Sequence, residues 1–219
     1  MSDILKFIGK KVLFLGCHLD DVEFGCGALL KRLSKNDLTE IRIETLSRFN
    51  QNANNEIQLE RDLNEAKCSM DILGYGDNSF FVDEIPGQRF DSYRQEIREL
   101  LLKIRKEFQP DCVFFPARND LHQDHAVLTE EALRIFRDWN CIGYEVIRST
   151  QNFHPNLFVE ITNDELDSKV DAIMSYKSQL SQSAAYYFDE TIIKAISLFR
   201  GAQANRRLVE AYEMYFIRI

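Results

Sequence analysis

The sequence has few of the residues that interrupt regular structure: four prolines and nine glycines among 219 residues. It contains no internal repeat, no low-complexity tract and no linker rich in proline, glycine or serine. Apolar residues make up 45% and charged residues 28%, an ordinary globular balance. This composition excludes collagen, coiled-coil and disordered classes and predicts a single globular domain over residues 1–219.

Long apolar runs are also absent. No stretch approaches the roughly 18 apolar residues that a membrane helix needs, and the first six residues, MSDILK, are too polar for a signal peptide. The five cysteines are scattered and none forms Cys-x-x-Cys. We therefore expect reduced core thiols in a cytoplasmic protein without a membrane span.

Positive charge is scarce, since 27 Lys and Arg face 35 Asp and Glu, for a formal net charge of −8. A protein that binds the phosphate backbone of nucleic acids needs the opposite sign, so we expect no nucleic-acid partner. The balance leaves room for a small anionic substrate held by a few arginines.

Short apolar strands and amphipathic helices alternate along the first two thirds of the chain. Residues 11–17 and 111–116 are nearly all apolar, which is typical of strands buried on both faces of a parallel sheet. Helical spacing of apolar residues covers 57–73, 93–108 and 124–137. The alternation predicts an α/β fold, a Rossmann-like three-layer αβα domain with a mostly parallel sheet.

The remaining segments give weaker predictions. Residues 48–55 are polar and predict a loop that could act as a lid. Thr162 and Glu165 form a capping-box signature for a helix that extends to Leu180, and Asp189 predicts the cap of a further helix. Residues 157–161 and 211–219 predict strands, the second of them the last in the chain.

Three of the four histidines lie beside aspartates, in two clusters. Residues 17–23 (CHLDDVE) follow the first predicted strand, and residues 119–125 (NDLHQDH) follow the strand at 111–116. Open parallel sheets bind ligands at the carboxyl ends of their strands. If the two strands are neighbours, the clusters face each other across one crevice. His154 has no acidic neighbour, and we interpret it as structural.

Imidazole nitrogen and carboxylate oxygen are good ligands for Zn²⁺, and a catalytic zinc takes three protein ligands and leaves a position for water. Bound metal lowers the pKa of that water, and a further carboxylate can take its proton. Each cluster alone is as well explained by helix caps. Their occurrence together at two strand ends favours a zinc site at the carboxyl ends of the strands.

The two clusters resemble known motifs. His18-Leu19-Asp20-Asp21-Val22-Glu23 resembles the His-Pro-Asp-Asp-x-Glu motif of the PIG-L/LmbE-like family of zinc-dependent N-acetyl-sugar deacetylases, with Leu19 in place of the usual proline. Residues 122–125 resemble that family's second motif, His-x-Asp-His. Landmarks at 61–74, 176–179 and 200–213 extend the resemblance over nearly the whole chain.

The resemblance implies an activity and roles for particular residues. His18, Asp21 and His125 would bind zinc. Asp20 would be the general base acting on the metal-bound water. His122 would stabilise the tetrahedral oxyanion or protonate the leaving amine. The reaction would be removal of an N-acetyl group from an amino sugar or sugar conjugate, with release of acetate.

The resemblance implies supporting features as well. Asp124 would orient one of the histidines, and Arg61 would bind substrate. Relatives commonly assemble as trimers or hexamers, so a homo-oligomer is expected. A His/Asp site also accepts other divalent ions such as Fe²⁺. For the sugar, Trp139, Phe153 and residues 186–188 offer aromatic faces, and Arg48 and Arg118 offer further positive charge.

Two other functions remain open from the sequence. The same metal chemistry would serve an amidase acting on a different amide, such as a thiol conjugate. A non-catalytic sugar-binding protein of the same fold would use the acidic clusters only as caps.

Overall fold

The computed structural model describes residues 4–52, 54–180 and 186–218. The described residues form nine strands in two sheets. In chain order they are β1 Lys11–His18, β2 Glu40–Ser47, β3 Phe49–Gln51, β4 Ile57–Glu60, β5 Phe80–Val82, β6 Cys112–Pro116, β7 Asn140–Tyr144, β8 Leu157–Glu160 and β9 Val209–Phe216.

Seven of these strands form the central sheet, in the order β5-β2-β1-β6-β7-β9-β8. The five strands from β5 to β7 in this order are parallel to one another, and β9 runs antiparallel to both β7 and β8. The predicted mostly parallel sheet is therefore confirmed. β3 and β4 form a separate antiparallel hairpin.

Helices cover both faces of the sheet. The helices are α1 Ile4–Ile8, α2 Asp21–Leu33, α3 Leu63–Leu73, α4 Arg94–Phe108, α5 Gln123–Ile135, α6 Asn163–Met174, α7 Lys177–Leu180 and α8 Glu190–Gln203. Alternate residues of β1 enter opposite cores: Phe14 packs with α2 and α3, and Leu15 packs with α4 and α5. This arrangement confirms the three-layer αβα architecture.

The predicted helix over 57–73 is wrong at its start. The helix begins at Leu63, where the Asp62 side chain accepts the Asn64 N–H as an N-cap, and residues 57–60 are β4. Leu59 belongs to the strand but lies four positions before Leu63, a spacing that also fits a helix. The predicted loop at 48–55 belongs largely to the hairpin of β3 and β4. Residue 53 lies outside the described residues.

β7 was not predicted from the sequence, although all five of its residues are buried. The final strand begins at Val209, two residues earlier than predicted, and residue 219 lies outside the described residues. The capping box at Thr162 and Glu165 and the Asp189 cap are both confirmed. The predicted helix to Leu180 is divided, because α6 ends at Met174 and α7 follows separately.

The cysteines are free thiols, and four of the five are buried as predicted. Cys68, on α3, is exposed and departs from that prediction. In the three described ranges, we find no helix with both the length and the apolar content to cross a membrane.

A half-buried carboxyl group on the β2–β5 side of the sheet makes stability depend on pH. Burial, together with the neighbouring Glu44 carboxylate, raises the pKa of Asp83 to about 7. The Asp83 Oδ2 atom is buried and has no hydrogen-bond partner among the described residues. In an unfolded chain the pKa of an aspartate is about 4. The stability that comes from the raised pKa is therefore complete below about pH 4 and lost as the pH rises through about 7.

We predict that Asp83→Asn raises the melting temperature at pH 8, because the amide cannot ionise in this half-buried position beside Glu44. The gain should shrink as the pH falls toward 4, where Asp83 is protonated in the folded state. Thermal unfolding between pH 4 and pH 8 measures this. Asp77→Asn is the control, since the side chain of Asp77 is 83% exposed, and it should show no such trend. A lower melting temperature for Asp83→Asn at pH 8 would contradict the prediction.

Candidate metal centre

The two predicted clusters meet at the carboxyl ends of β1 and β6, which are adjacent parallel strands. At this point the sheet order changes direction, since β2 lies on one side of β1 and β6 on the other. A pocket of about 200 Å³ opens there. It is lined by His18, Asp20, Asp21, Phe24, Arg61, His122, His125, Val146, Arg148, Ser149 and Tyr187.

The Asp21 carboxylate occupies the centre of the cluster. Its Oδ2 accepts the backbone N–H groups of Cys17 at 3.0 Å and His18 at 2.8 Å. The same oxygen lies 3.4 Å from His18 Nδ1 and 3.2 Å from His125 Nε2. Burial by itself would raise the pKa of Asp21, but His125 and His18 outweigh burial and hold that pKa well below its usual value.

The other ring nitrogen of each of these histidines faces a second carboxylate. His18 Nε2 lies 2.9 Å from Asp124 Oδ2, and His125 Nδ1 lies 2.9 Å from Asp120 Oδ2. Burial lowers the pKa of His125, but the charges of Asp21 and Asp120 outweigh burial and raise it to about 10. The pKa of His18 is raised in the same way, with Asp124 and Asp21 acting against burial.

His122 is the N-cap of α5, and its position fixes its tautomer. Its Nδ1 accepts the backbone N–H of Asp124 at 3.2 Å, so the proton of the neutral ring is on Nε2. The ring centroid lies 4.8 Å from that of His18 and 4.6 Å from that of His125. Burial, with these two histidines, lowers the pKa of His122 to about 4, so the ring is neutral at pH 7.

Asp20 precedes α2 in a strained backbone conformation, with φ of 109°. Its Oδ2 lies 2.6 Å from the guanidinium of Arg61, which also donates to the Leu19 carbonyl. Burial raises the pKa of Asp20 to about 6, against the opposing charge of Arg61. Arg61 directly follows β4, so the hairpin that the sequence did not predict is what delivers this side chain to the pocket.

Two sets of three side chains bring donor atoms within 4.8 Å of one another and could hold a metal ion: Cys17, Asp21 and His125, and His18, His122 and Asp124. The Cys17 side chain packs in the apolar core with Leu13 and Leu15, and burial raises the pKa of its thiol. Cys17 is not among the residues that line the pocket. The donors that remain at the pocket are imidazole nitrogens and carboxylate oxygens.

The structure brings together all the site residues named from the sequence, and Asp124 lies directly behind the pocket wall. Of the residues suggested for sugar or anion binding, Tyr187 and Arg61 line the pocket, whereas Trp139, Phe153 and Arg48 do not. The backbone N–H groups of Gln88 and Phe90 hold the Asp124 carboxylate and were not predicted from the sequence. A loop so distant in sequence carries no motif that could have shown this contact.

A close helix–sheet contact sets the position of α2, which begins at Asp21. A Cβ atom on Gly25 would lie 2.2 Å from Cδ2 of Tyr144, a fully buried residue whose hydroxyl donates to the Leu15 carbonyl at 2.7 Å. Only glycine lets the helix approach Tyr144 this closely.

We predict that Gly25→Ala destabilises the protein by about 1–3 kcal/mol, because the added methyl group overpacks this contact. Chemical denaturation measures the change in the free energy of unfolding. Gly76→Ala is the matched control, since a Cβ there meets no atom within 4 Å, and its effect should be close to zero. Equal effects of the two substitutions would show that the Tyr144 contact does not constrain the helix.

Comparison with known proteins gives one family. The family model described as GlcNAc-PI de-N-acetylase, PIG-L, matches residues 13–136, which include both histidine clusters. A curated relative, the uncharacterized deacetylase YaiS of Escherichia coli (strain K12), is 24% identical over 173 residues. The match covers 77% of this chain and 91% of YaiS.

Solved structures agree with the fold. N,N'-diacetylchitobiose deacetylase from Pyrococcus horikoshii superposes with a TM-score of 0.75 at 21% identity, covering 96% of this chain and 85% of that one. GalB, the 4-carboxy-2-hydroxymuconate hydratase of Pseudomonas putida KT2440, gives a TM-score of 0.74 at 16% identity, covering 96% and 98%. These structures share the architecture while their names describe different reactions. From the family match over more than half of its length, we conclude that the chain belongs to the PIG-L family.

Proposed function

We propose that this protein is a metal-dependent amide hydrolase that removes the N-acetyl group from an amino sugar or sugar conjugate. The observation that carries the proposal is the convergence of His18 Nδ1 and His125 Nε2 on the same oxygen of Asp21, at 3.4 and 3.2 Å. Membership of the PIG-L family and the deacetylase names of several relatives support the choice of reaction.

The separations between Asp21 Oδ2 and the two histidine nitrogens suit a divalent ion such as zinc. Bonds of about 2.0–2.2 Å in a tetrahedron place neighbouring ligand atoms about 3.3–3.5 Å apart, close to the separations from Asp21 Oδ2. Both ring nitrogens of His125 are buried without a regular hydrogen bond among the described residues, and Nε2 lies beside Asp21, where it is available to a metal. We therefore propose His18, Asp21 and His125 as the ligands, with Zn²⁺ as the ion and Fe²⁺ as an alternative.

When bound, a divalent ion supplies a Lewis acid that acidifies water and polarises an amide carbonyl. The remaining steps belong to the side chains. Asp20 takes the proton of the attacking water, and its pKa of about 6 suits a general base that works near neutral pH. Arg61 holds the Asp20 carboxylate in place from the hairpin side.

His122 acts as a hydrogen-bond donor in this proposal. Because its Nδ1 is occupied by the Asp124 N–H, its Nε2–H group is the one available to the pocket. A neutral donor at this position stabilises negative charge that develops on the carbonyl oxygen during attack. The proton that Asp20 has taken then passes to the leaving amine. Asp124, which contacts His18 Nε2, orients that ring.

The walls of the pocket suit a sugar. The rings of Phe24 and Tyr187 offer apolar faces, and Arg61 and Arg148 offer polar contacts. The particular sugar, the cytoplasmic location and a trimeric or hexameric assembly stay predictions.

We predict that the zinc-loaded protein releases acetate from at least one member of a panel containing N-acetylglucosamine, its nucleotide conjugates and N,N'-diacetylchitobiose. A chelator should abolish the activity, and added Zn²⁺ should restore it. Asp20→Asn should lower the rate by about 10²–10⁴-fold, since it removes the general base. Metal analysis should find the ion still bound to that variant, because Asp20 is not a ligand.

Asp77→Asn makes the same chemical change at an exposed position outside the pocket and should keep the wild-type rate. An Asp20→Asn variant as fast as the wild type would refute the role of Asp20. Activity confined to thiol conjugates would favour the other amidase, and a protein that binds no metal would favour a sugar-binding function.

A further inference from the structure

Asp120 is a buried carboxylate that the mechanism above does not use. Its side chain is fully buried, and its Oδ1 accepts the His122 N–H at 2.8 Å. Its Oδ2 accepts the hydroxyl groups of Ser149 and Thr150, each at 2.8 Å, and lies 2.9 Å from His125 Nδ1. Three hydrogen-bond donors and the His125 ring, from two parts of the chain, therefore meet on one carboxylate.

The charge of Asp120 needs an explanation beyond the local turn. The contact with the His122 N–H, two residues later, is an Asx turn, which an asparagine would make equally well. A buried carboxylate costs several kcal/mol in desolvation unless it is paired. Among the described residues, the ion-pair contact of Asp120 is with His125. The position of the charge thus points to the histidine and not to the turn.

The proton on the His125 ring is what the carboxylate can control. When a metal replaces the proton on Nε2, a carboxylate beside Nδ1 keeps the remaining proton of the ring on that nitrogen, so that the lone pair of Nε2 is free for the metal. It also restrains the rotation of the ring. Metal-binding histidines are typically held by a carboxylate or carbonyl on their second nitrogen in this way.

The same carboxylate fastens the pocket wall. Thr150 Oγ1, which donates to Asp120, also accepts the Val146 N–H at 3.0 Å, and the Leu121 N–H donates to the Ser149 carbonyl at 3.0 Å. Val146, Arg148 and Ser149 all line the pocket. The segment 146–150 is therefore tied to the metal-binding cluster through Asp120.

We propose that Asp120 is a positioning residue with two tasks: it directs Nε2 of His125 toward the metal, and it holds the substrate-facing wall at 146–150. The inference rests on the proposed metal site, and it adds a residue outside the ligand set. The two tasks separate experimentally, because Thr150 belongs to the wall and makes no hydrogen bond to the His125 ring among the described residues.

The test measures metal affinity directly, without the enzymatic assay. Zn²⁺ is titrated against a chromophoric chelator in the wild type, Asp120→Asn and Thr150→Val, and Co²⁺ absorption in the visible range reports the ligand geometry. We expect about 10–100-fold weaker Zn²⁺ binding for Asp120→Asn, with an altered Co²⁺ spectrum. Thr150→Val keeps the Asp120–His125 contact, so its Zn²⁺ affinity should match the wild type while its KM for the acetylated substrate rises.

Wild-type Zn²⁺ affinity in a folded Asp120→Asn protein would overturn the inference, as would equal losses of affinity in Asp120→Asn and Thr150→Val. If Asp120→Asn does not fold, Asp120→Glu displaces the carboxylate by one methylene, and an unchanged affinity in that variant would be equally decisive. A wild type that binds Zn²⁺ but releases no acetate would refute the proposed function and leave the affinity comparison valid. A wild type that binds no divalent ion would refute both.

Discussion

The position of the Asp21 carboxylate is fixed by the main chain, and the geometry of the pocket depends on it. The N–H groups of Cys17 and His18 both donate to its Oδ2 where β1 ends, so the oxygen cannot turn away without losing two buried hydrogen bonds. The chain must reverse direction there to begin α2, and Asp20 adopts the left-handed conformation that permits this. The strained backbone at Asp20 thus helps to bring the carboxylates of Asp20 and Asp21 to one pocket. Their neighbours there differ, since Asp20 pairs with Arg61 and Asp21 lies beside His125.

The sheet topology supplies the second half of the site. Because β6 lies beside β1, the residues that follow β6 arrive opposite Asp21. α5 begins there with His122 as its cap, and the N-terminus of a helix carries partial positive charge that stabilises the Asp124 carboxylate. Asp124 in turn contacts His18, 106 residues earlier in the chain, and thereby joins the two strand ends. Each cluster is held by the backbone of its own strand end and by a side chain of the other.

Predictions from the sequence succeeded where the pattern of apolar residues in a segment matches the burial of that segment in the fold. The runs at 11–17 and 111–116 could be predicted as buried strands, because both faces of the sheet are covered by helices, and the histidine clusters then had to fall at one edge. The helix over 57–73 was misplaced because a short strand and the helix after it share an apolar spacing of four residues. β7 was missed because a five-residue buried run is ambiguous without its neighbours.

Contacts made by the backbone of distant loops could not be predicted from the sequence, for a different reason. Nothing in the residue types of Gln88 and Phe90 shows that their N–H groups hold Asp124, since every residue type except proline has that group. The contact of Arg61 with Asp20 could not be predicted, because it depends on the β3–β4 hairpin. Asp120 lay within a noted cluster, but its partners at Ser149 and Thr150 follow the unpredicted β7.

The charge balance of the pocket gives a physical reason for a cation at this place. Asp21, Asp120 and Asp124 are buried carboxylates whose pKa values all lie below the usual range, so they remain charged at neutral pH. Arg61 offsets Asp20, and His122 is neutral. Two of these three negative charges can be offset by protons on His18 and His125, since the neighbouring carboxylates raise the pKa values of both rings, or by a divalent ion in the place of those protons. Protons and a metal ion would thus compete for the ring nitrogens of His18 and His125. A metal that binds there would release the protons that it replaces.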